Sequence, residues 1–150
     1  MVTALAALVG VELGPTGWLE VPQTRIDAFA EVTGDPQWIH TDPVRAAAGP
    51  FGSTIAHGWL TLSLVAPLLD EVTEGCPDWP STGHTINYGA DRVRFPAPLP
   101  SGSRIRARFR VAAVEPGPGG SERARIEATV EREGGEKPVC VADLVLLFFP

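Results

Sequence analysis

Asp35 and His40 lie five positions apart in GDPQWIH, and the proline between them disfavours continued helix, so a turn can aim a carboxylate and an imidazole at one point. An acid and a base sharing a site are the equipment for moving protons on and off water and carbon. Downstream, in IAHGWLTLSL, an apolar approach ends at Gly58, which opens a strongly apolar stretch. A helix starting there leaves its first N–H groups without carbonyl partners, and a residue with no Cβ lets an oxygen approach them closely. Gly58 is therefore a candidate for binding an oxygen that gains negative charge. Taken one at a time these residues have plainer uses: Asp35 as a turn former after Gly34, His40 as a satisfied loop histidine, Gly58 as a simple helix start.

Their neighbours complete a candidate substrate-binding set. The His57 side chain is expected to fix the turn before Gly58. Gln37 is placed to orient a water or to face an acyl group, and Trp38 and Trp59 read as core or pocket wall. Arg92 and Arg94 add basic density, and Arg104, Arg106, Arg108 and Arg110 alternate so that all four share one strand face. Either that face is simply solvated or its guanidinium groups contact ligand phosphates. His40, His57 and His84 have no metal-ligand spacing, and no metal site is expected.

The elements that must position these residues follow from period and punctuation. Residues 17–21 alternate as a short strand, and Thr24 is expected to cap a helix carrying Ile26, Phe29, Ala30 and Val32 that Gly34 stops. Asp42 and Pro43 form an N-cap and first-turn pair for a brief helix over 44–48. From Gly58 to about residue 72 nearly every side chain is apolar or small, which predicts a long helix buried on most of its surface, kinked or shortened by Pro67. Residues 85–95, 104–114, 124–133 and 139–149 read as strands separated by the turn compositions PAPLPSG, EPGPGG and EGGEKP. One long apolar helix and several long strands can bury one another only if the sheet curls around the helix. The expected fold is thus α+β: a hotdog, a curved and mainly antiparallel sheet wrapped around a long central helix.

The chain has 150 residues, expected to form one domain over 1–150, and is 44% hydrophobic and 20% charged. No apolar run approaches the roughly 20 residues that span a membrane, so a soluble protein is expected. Residues 1–11 faintly resemble a signal segment but lack a basic start and read as domain, which favours the cytoplasm. A net charge of −6 argues against nucleic acid as a partner. The two cysteines, Cys76 and Cys140, form no framework and are expected as free thiols in a reducing compartment. The exposed edge of a single hotdog sheet is a liability that a second copy would cover, so a homodimer is expected.

FAEVTGDPQWIHTD followed by GPFGSTIAHGWLTLSL resembles the MaoC-like hydratase/dehydratase family, and within it the subgroup similar to nodulation protein N. The resemblance runs from LVGVELG into INYGADRVRFPAP. It implies a hotdog-fold (R)-specific enoyl-thioester hydratase, usually dimeric, with Asp35 and His40 matching the catalytic acid and histidine and Gly58 matching the glycine whose amide binds the thioester oxygen. This chain departs from many relatives in having Gln37 and Trp38 where they carry Asn-Pro. It also has Ala66, with Ser63 one turn earlier, where one branch has a supporting serine. The implied reaction is hydration of a trans-2-enoyl thioester of CoA or acyl carrier protein to the (3R)-3-hydroxyacyl thioester, or its reversal, with no metal or redox cofactor. A hotdog thioesterase and an acyl-thioester-binding accessory protein are the competing expectations.

Overall fold

The computed structural model describes residues 4–150. Its four long strands are β3 (His84–Arg94), β4 (Ser103–Pro116), β5 (Glu122–Arg132) and β6 (Cys140–Phe149), and two short ones, β1 (Glu12–Leu13) and β2 (Leu19–Val21), precede them. All pair antiparallel in one sheet of order β1-β4-β5-β6-β3, with β2 also on β4. The period-two pattern of β4 and β5 sorts their two faces. Ile105, Ala107, Phe109 and Val111 and, opposite them, Ala124, Ile126, Ala128 and Val130 are buried, while the arginines between point out. Those arginines meet glutamates across the strands: Arg104 pairs with Glu133, Arg106 and Arg108 with Glu131, and Arg110 with Glu127. The charges on this face are matched cross-strand.

Six α-helices lie among the described residues: α1 (Ala4–Ala7), α2 (Gln23–Thr33), α3 (Trp38–Thr41), α4 (Pro43–Ala47), α5 (Gly58–Ser63) and α6 (Val65–Thr73). Leu5 and Leu8 belong to the core, so the part of the N-terminal stretch described here packs as domain; residues 1–3 lie outside the described residues. As Pro67 leads one to expect, the long helix from Gly58 is interrupted: it is two helices that meet at Leu64 (φ −74, ψ −11). Pro67 explains the position: it has no N–H for the Ser63 carbonyl four residues back, and its ring crowds that carbonyl, so the turn before it opens. Two expectations about helices are corrected, the first being burial: this pair of helices is not buried on most of its surface. Leu60, Thr61, Val65, Leu68 and Leu69 face the core, but Trp59 is 62% exposed and Ala66, Pro67, Asp70 and Glu71 are exposed as well. The second correction concerns Thr24, which sits inside the first turn of α2. Pro22 is the N-cap, extended at φ −74 and ψ 163, and no side chain caps the helix.

Other punctuation is as expected. Gly34 ends α2 in the left-handed conformation (φ 71), and its N–H returns to Glu31. The Asp42 carboxylate accepts from the Arg45 N–H at 2.9 Å, with Pro43 in the first turn of α4. The single turn α3 has no counterpart among the expected elements, because four residues are too few to display a helical period. Beyond α4 an extended segment, 54–56, is held from both sides. Ile55 N–H donates to the Ile39 carbonyl of α3, and Ala56 N–H to the Leu99 carbonyl of the loop before β4.

Candidate functional site

Where α2 stops, the Asp35 N–H closes back onto the Ala30 carbonyl at 3.0 Å, and the chain runs through Pro36 and Gln37 into α3, which carries His40. Gln23, in the first turn of α2, clamps this arrangement. Its amide N–H donates to the His40 carbonyl (2.7 Å) and to Asp27 (2.8 Å), and its side-chain oxygen accepts from the Thr54 hydroxyl (2.5 Å). One side chain thereby ties α2, α3 and segment 54–56 together.

The His40 ring is buried, and its Nδ1–H donates to the Ile55 carbonyl at 2.7 Å. A carbonyl only accepts, so the hydrogen is on Nδ1 and the lone pair is left on Nε2. Burial holds the His40 pKa below its usual 6.5. The Ile55 carbonyl opposes that shift, nearby His57 adds to it, and Asp35 opposes it. His57 is fixed in the other tautomer: its Nε2–H donates to the Asp35 main-chain carbonyl at 3.0 Å. The two imidazoles stack with centroids 3.7 Å apart and planes 24° from parallel. The Asp35 carboxylate is half exposed, 3.9 Å from His57 Nε2.

A cavity of about 280 Å³ opens beside this cluster. His40, Gly58 and Thr61 reach it, and Phe51, Ile55, Ala56, the loop 95–99 and Val139 form apolar walls. Gly58 starts α5, whose first internal bond is Thr61 N–H to the His57 carbonyl (3.2 Å), so the amides ahead of it have no carbonyl upstream. A Cβ at Gly58 would lie 2.6 Å from the Phe95 ring. Glycine is required there by close approach.

Asp35, His40 and His57 each bring a metal-capable atom within 4.8 Å of the others. With Nδ1 of His40 and Nε2 of His57 each committed to a carbonyl, Nε2 of His40 and Nδ1 of His57 are the nitrogens left with lone pairs. His84 is elsewhere, stacked on Phe149.

Not every residue singled out from sequence reaches the cavity. Gln37 is exposed and offers its carbonyl to the His40 N–H at 2.9 Å. Trp38 lies under the Arg45 guanidinium, 4.4 Å from its ring centroid, and fills the space over Gly49, where it pins the α3–α4 region. Trp59 meets Phe95 edge-on at 5.7 Å, outside the cavity lining. Arg92, at φ 52 in an irregularity of β3, is committed to Asp143. Arg94 is exposed, donates to the Val93 carbonyl, and directly precedes Phe95. Ser63 donates to the Trp59 carbonyl within its own helix. Sequence reasoning passed over Gln23, Phe95 and Thr61. Nothing in their local pattern marks them, since Gln23 acts across the fold and the other two look like a strand end and a helix position.

A curved antiparallel sheet packed on the core-facing side of the broken central helix α5–α6, with a histidine pair, a carboxylate and a glycine at the start of α5, defines a hotdog domain of the dehydratase kind. The chain belongs to the MaoC-like family: the model of the MaoC like domain matches residues 5–132. It is 45% identical over 149 residues to 3-hydroxyacyl-thioester dehydratase Z of Mycobacterium tuberculosis, covering 98% of this chain and 95% of that one. It is 41% identical over 140 residues to Nodulation protein N of Rhizobium leguminosarum bv. viciae, covering 93% and 85%. Among solved structures, an (R)-hydratase from A. caviae involved in PHA biosynthesis superposes with a TM-score of 0.72 over 94% of this chain and 96% of that one, at 24% identity, a likeness of fold. The chain is an enzyme, a hydro-lyase.

Proposed function

We propose that this enzyme hydrates trans-2-enoyl thioesters to (3R)-3-hydroxyacyl thioesters and catalyses the reverse dehydration, with Asp35 and His40 holding the reacting water and Gly58 the thioester oxygen. The observation that carries this reading is the His40 tautomer. Its Nε2 lone pair is kept free beside a cavity that also holds Gly58. In the hydration direction a proton leaves water for the dyad as the O–C3 bond forms, the electron pair of the double bond moves to the thioester oxygen, and the dyad returns a proton to C2. Charge collecting on that oxygen meets the Gly58 amide, which costs no reorganisation because the turn is already built. Low proton affinity at buried His40 keeps it unprotonated at neutral pH, as a base must be. Side-chain acid–base chemistry suffices for every step, with no metal or redox cofactor.

The apolar cavity walls take the acyl chain. Arg94, which has no carboxylate partner among the described residues, serves the phosphates of CoA or of an acyl carrier's phosphopantetheine arm; Arg92 is already neutralised by Asp143. We place the protein in the cytoplasm on its two free thiols, Cys76 and Cys140. We propose a homodimer paired along β3, a long free edge that leaves Ile86 and Tyr88 exposed.

The test is loss of the conjugated enoyl-thioester absorbance on mixing with crotonyl-CoA, followed by determination of product configuration, with a thiol reagent in a parallel cell. A (3R) product without thiol release, and loss of roughly 10²–10⁴-fold in rate for His40→Ala and for Asp35→Asn, are expected. Thiol release would instead mark a thioesterase. No turnover of crotonyl-CoA or of a longer enoyl-CoA would point to a binding role.

A further inference from the structure

His57 occupies the N-cap position of α5 but makes no side-chain hydrogen bond to its own helix. Its ring turns inward and is 2% exposed. There it does two things at once: its Nε2–H holds the Asp35 carbonyl at 3.0 Å, and its face lies on His40 with centroids 3.7 Å apart. Phe29 of α2 tilts against it at 4.9 Å, which further fixes the ring, and its Nδ1 is buried with no partner among the described residues. The next residue in the chain is Gly58. A single residue thus touches Asp35 through a hydrogen bond, touches His40 through a ring face, and is covalently joined to Gly58.

We infer that His57 is a positioning residue: it holds the turn carrying Asp35 and the ring of His40 in register with the Gly58 amide. This rests on the hydratase reading above for what the three groups do, and on geometry alone for what His57 does to them. The two contacts are separable. A glutamine amide can replace the Nε2–H but offers no ring, and a phenylalanine offers the ring but no donor. Loss of either contact frees a group whose misplacement by 1 Å is costly in a site of this kind. The titratable groups facing His40 are Asp35 from the α2–α3 turn and His57 from α5. Segment 54–56 offers it a carbonyl, and Gln23 of α2 holds its main chain. Removing the second imidazole takes away one of the influences that hold His40 below its usual proton affinity.

The experiment compares His57→Phe and His57→Gln with the wild-type enzyme on crotonyl-CoA, and follows the imidazole nitrogens of His40 and His57 by NMR across pH. A kcat loss of roughly 10²-fold for His57→Phe is expected, with KM little changed, partial recovery in His57→Gln, and a His40 titration midpoint moved upward in both. Wild-type kcat and an unmoved His40 midpoint in a folded variant would overturn the inference. So would a wild-type spectrum showing His57 protonated on Nδ1 in place of Nε2, a reading that needs no variant to fold. If the wild-type enzyme turns over no enoyl thioester, the hydratase reading fails, and the NMR arm still decides the role of His57.

Discussion

Because Ile55 accepts from Nδ1 of His40, the basic nitrogen is chosen by main-chain geometry, and burial then lowers its proton affinity. The same shift ties stability to pH. The unfolded chain protonates His40 near pH 6.5, while the folded chain does so only at lower pH, so between those values the unfolded state binds more protons. Stability is therefore full above about 6.5 and declines as the pH falls toward the folded value. Thermal unfolding followed by circular dichroism is expected to show a midpoint that drops from about pH 7 to about pH 5, and a shallower drop in His40→Gln. At Gly58, an added methyl meets the Phe95 ring at 2.6 Å, so Gly58→Ala must move either the ring or the amide. The expected result is a fall in kcat of roughly 10²-fold for crotonyl-CoA, with a near-native circular dichroism spectrum.

Three elements that are remote in sequence meet at Gln23, whose side chain bonds α3 through the His40 carbonyl and segment 54–56 through Thr54. Gln23→Ala removes both bonds and is expected to cost about 1–3 kcal/mol in urea unfolding. It should also lower kcat more than it changes KM, since it loosens the main chain under His40. The break between α5 and α6 matters to the site in another way. Pro67 ends the first helix after six residues, which leaves α5 free to take the direction that aims Gly58 at the cavity while α6 packs Leu68 and Leu69 on the sheet. A proline inside an apolar run is visible in sequence. That the bend falls at Leu64 follows from the carbonyl the proline cannot serve, and the direction taken by each half is a matter of packing.

Over the whole molecule, the outer face of the sheet is a ladder of cross-strand ion pairs, and it passes into buried Asp143, which receives both Arg92 and Arg125. Exposed apolar side chains also lie along β3, at Ile86 and Tyr88, and on the α5 side at Trp59. A charged residue on the free edge should oppose pairing of two copies. Sedimentation or light scattering is expected to give a dimer for the wild-type chain and a monomer for Ile86→Lys with Tyr88→Lys; a wild-type monomer would refute the proposed assembly.

The sequence by itself determined the four long strands, the turns between them and the family, and it singled out Asp35, His40 and Gly58 as candidates, because period, punctuation and short-range motifs are local properties of the chain. It did not distinguish among the arginines. Only the tertiary structure matched those of β4 with glutamates on β5, committed Arg92 to Asp143 and left Arg94 beside the cavity wall. It likewise did not show that Trp38 pins a loop, that Gln23 clamps three elements, or that His57 lies against His40. Those facts depend on which carbonyl and which ring face come within a few ångströms once the chain has folded, and no local pattern records contacts made between segments far apart in sequence.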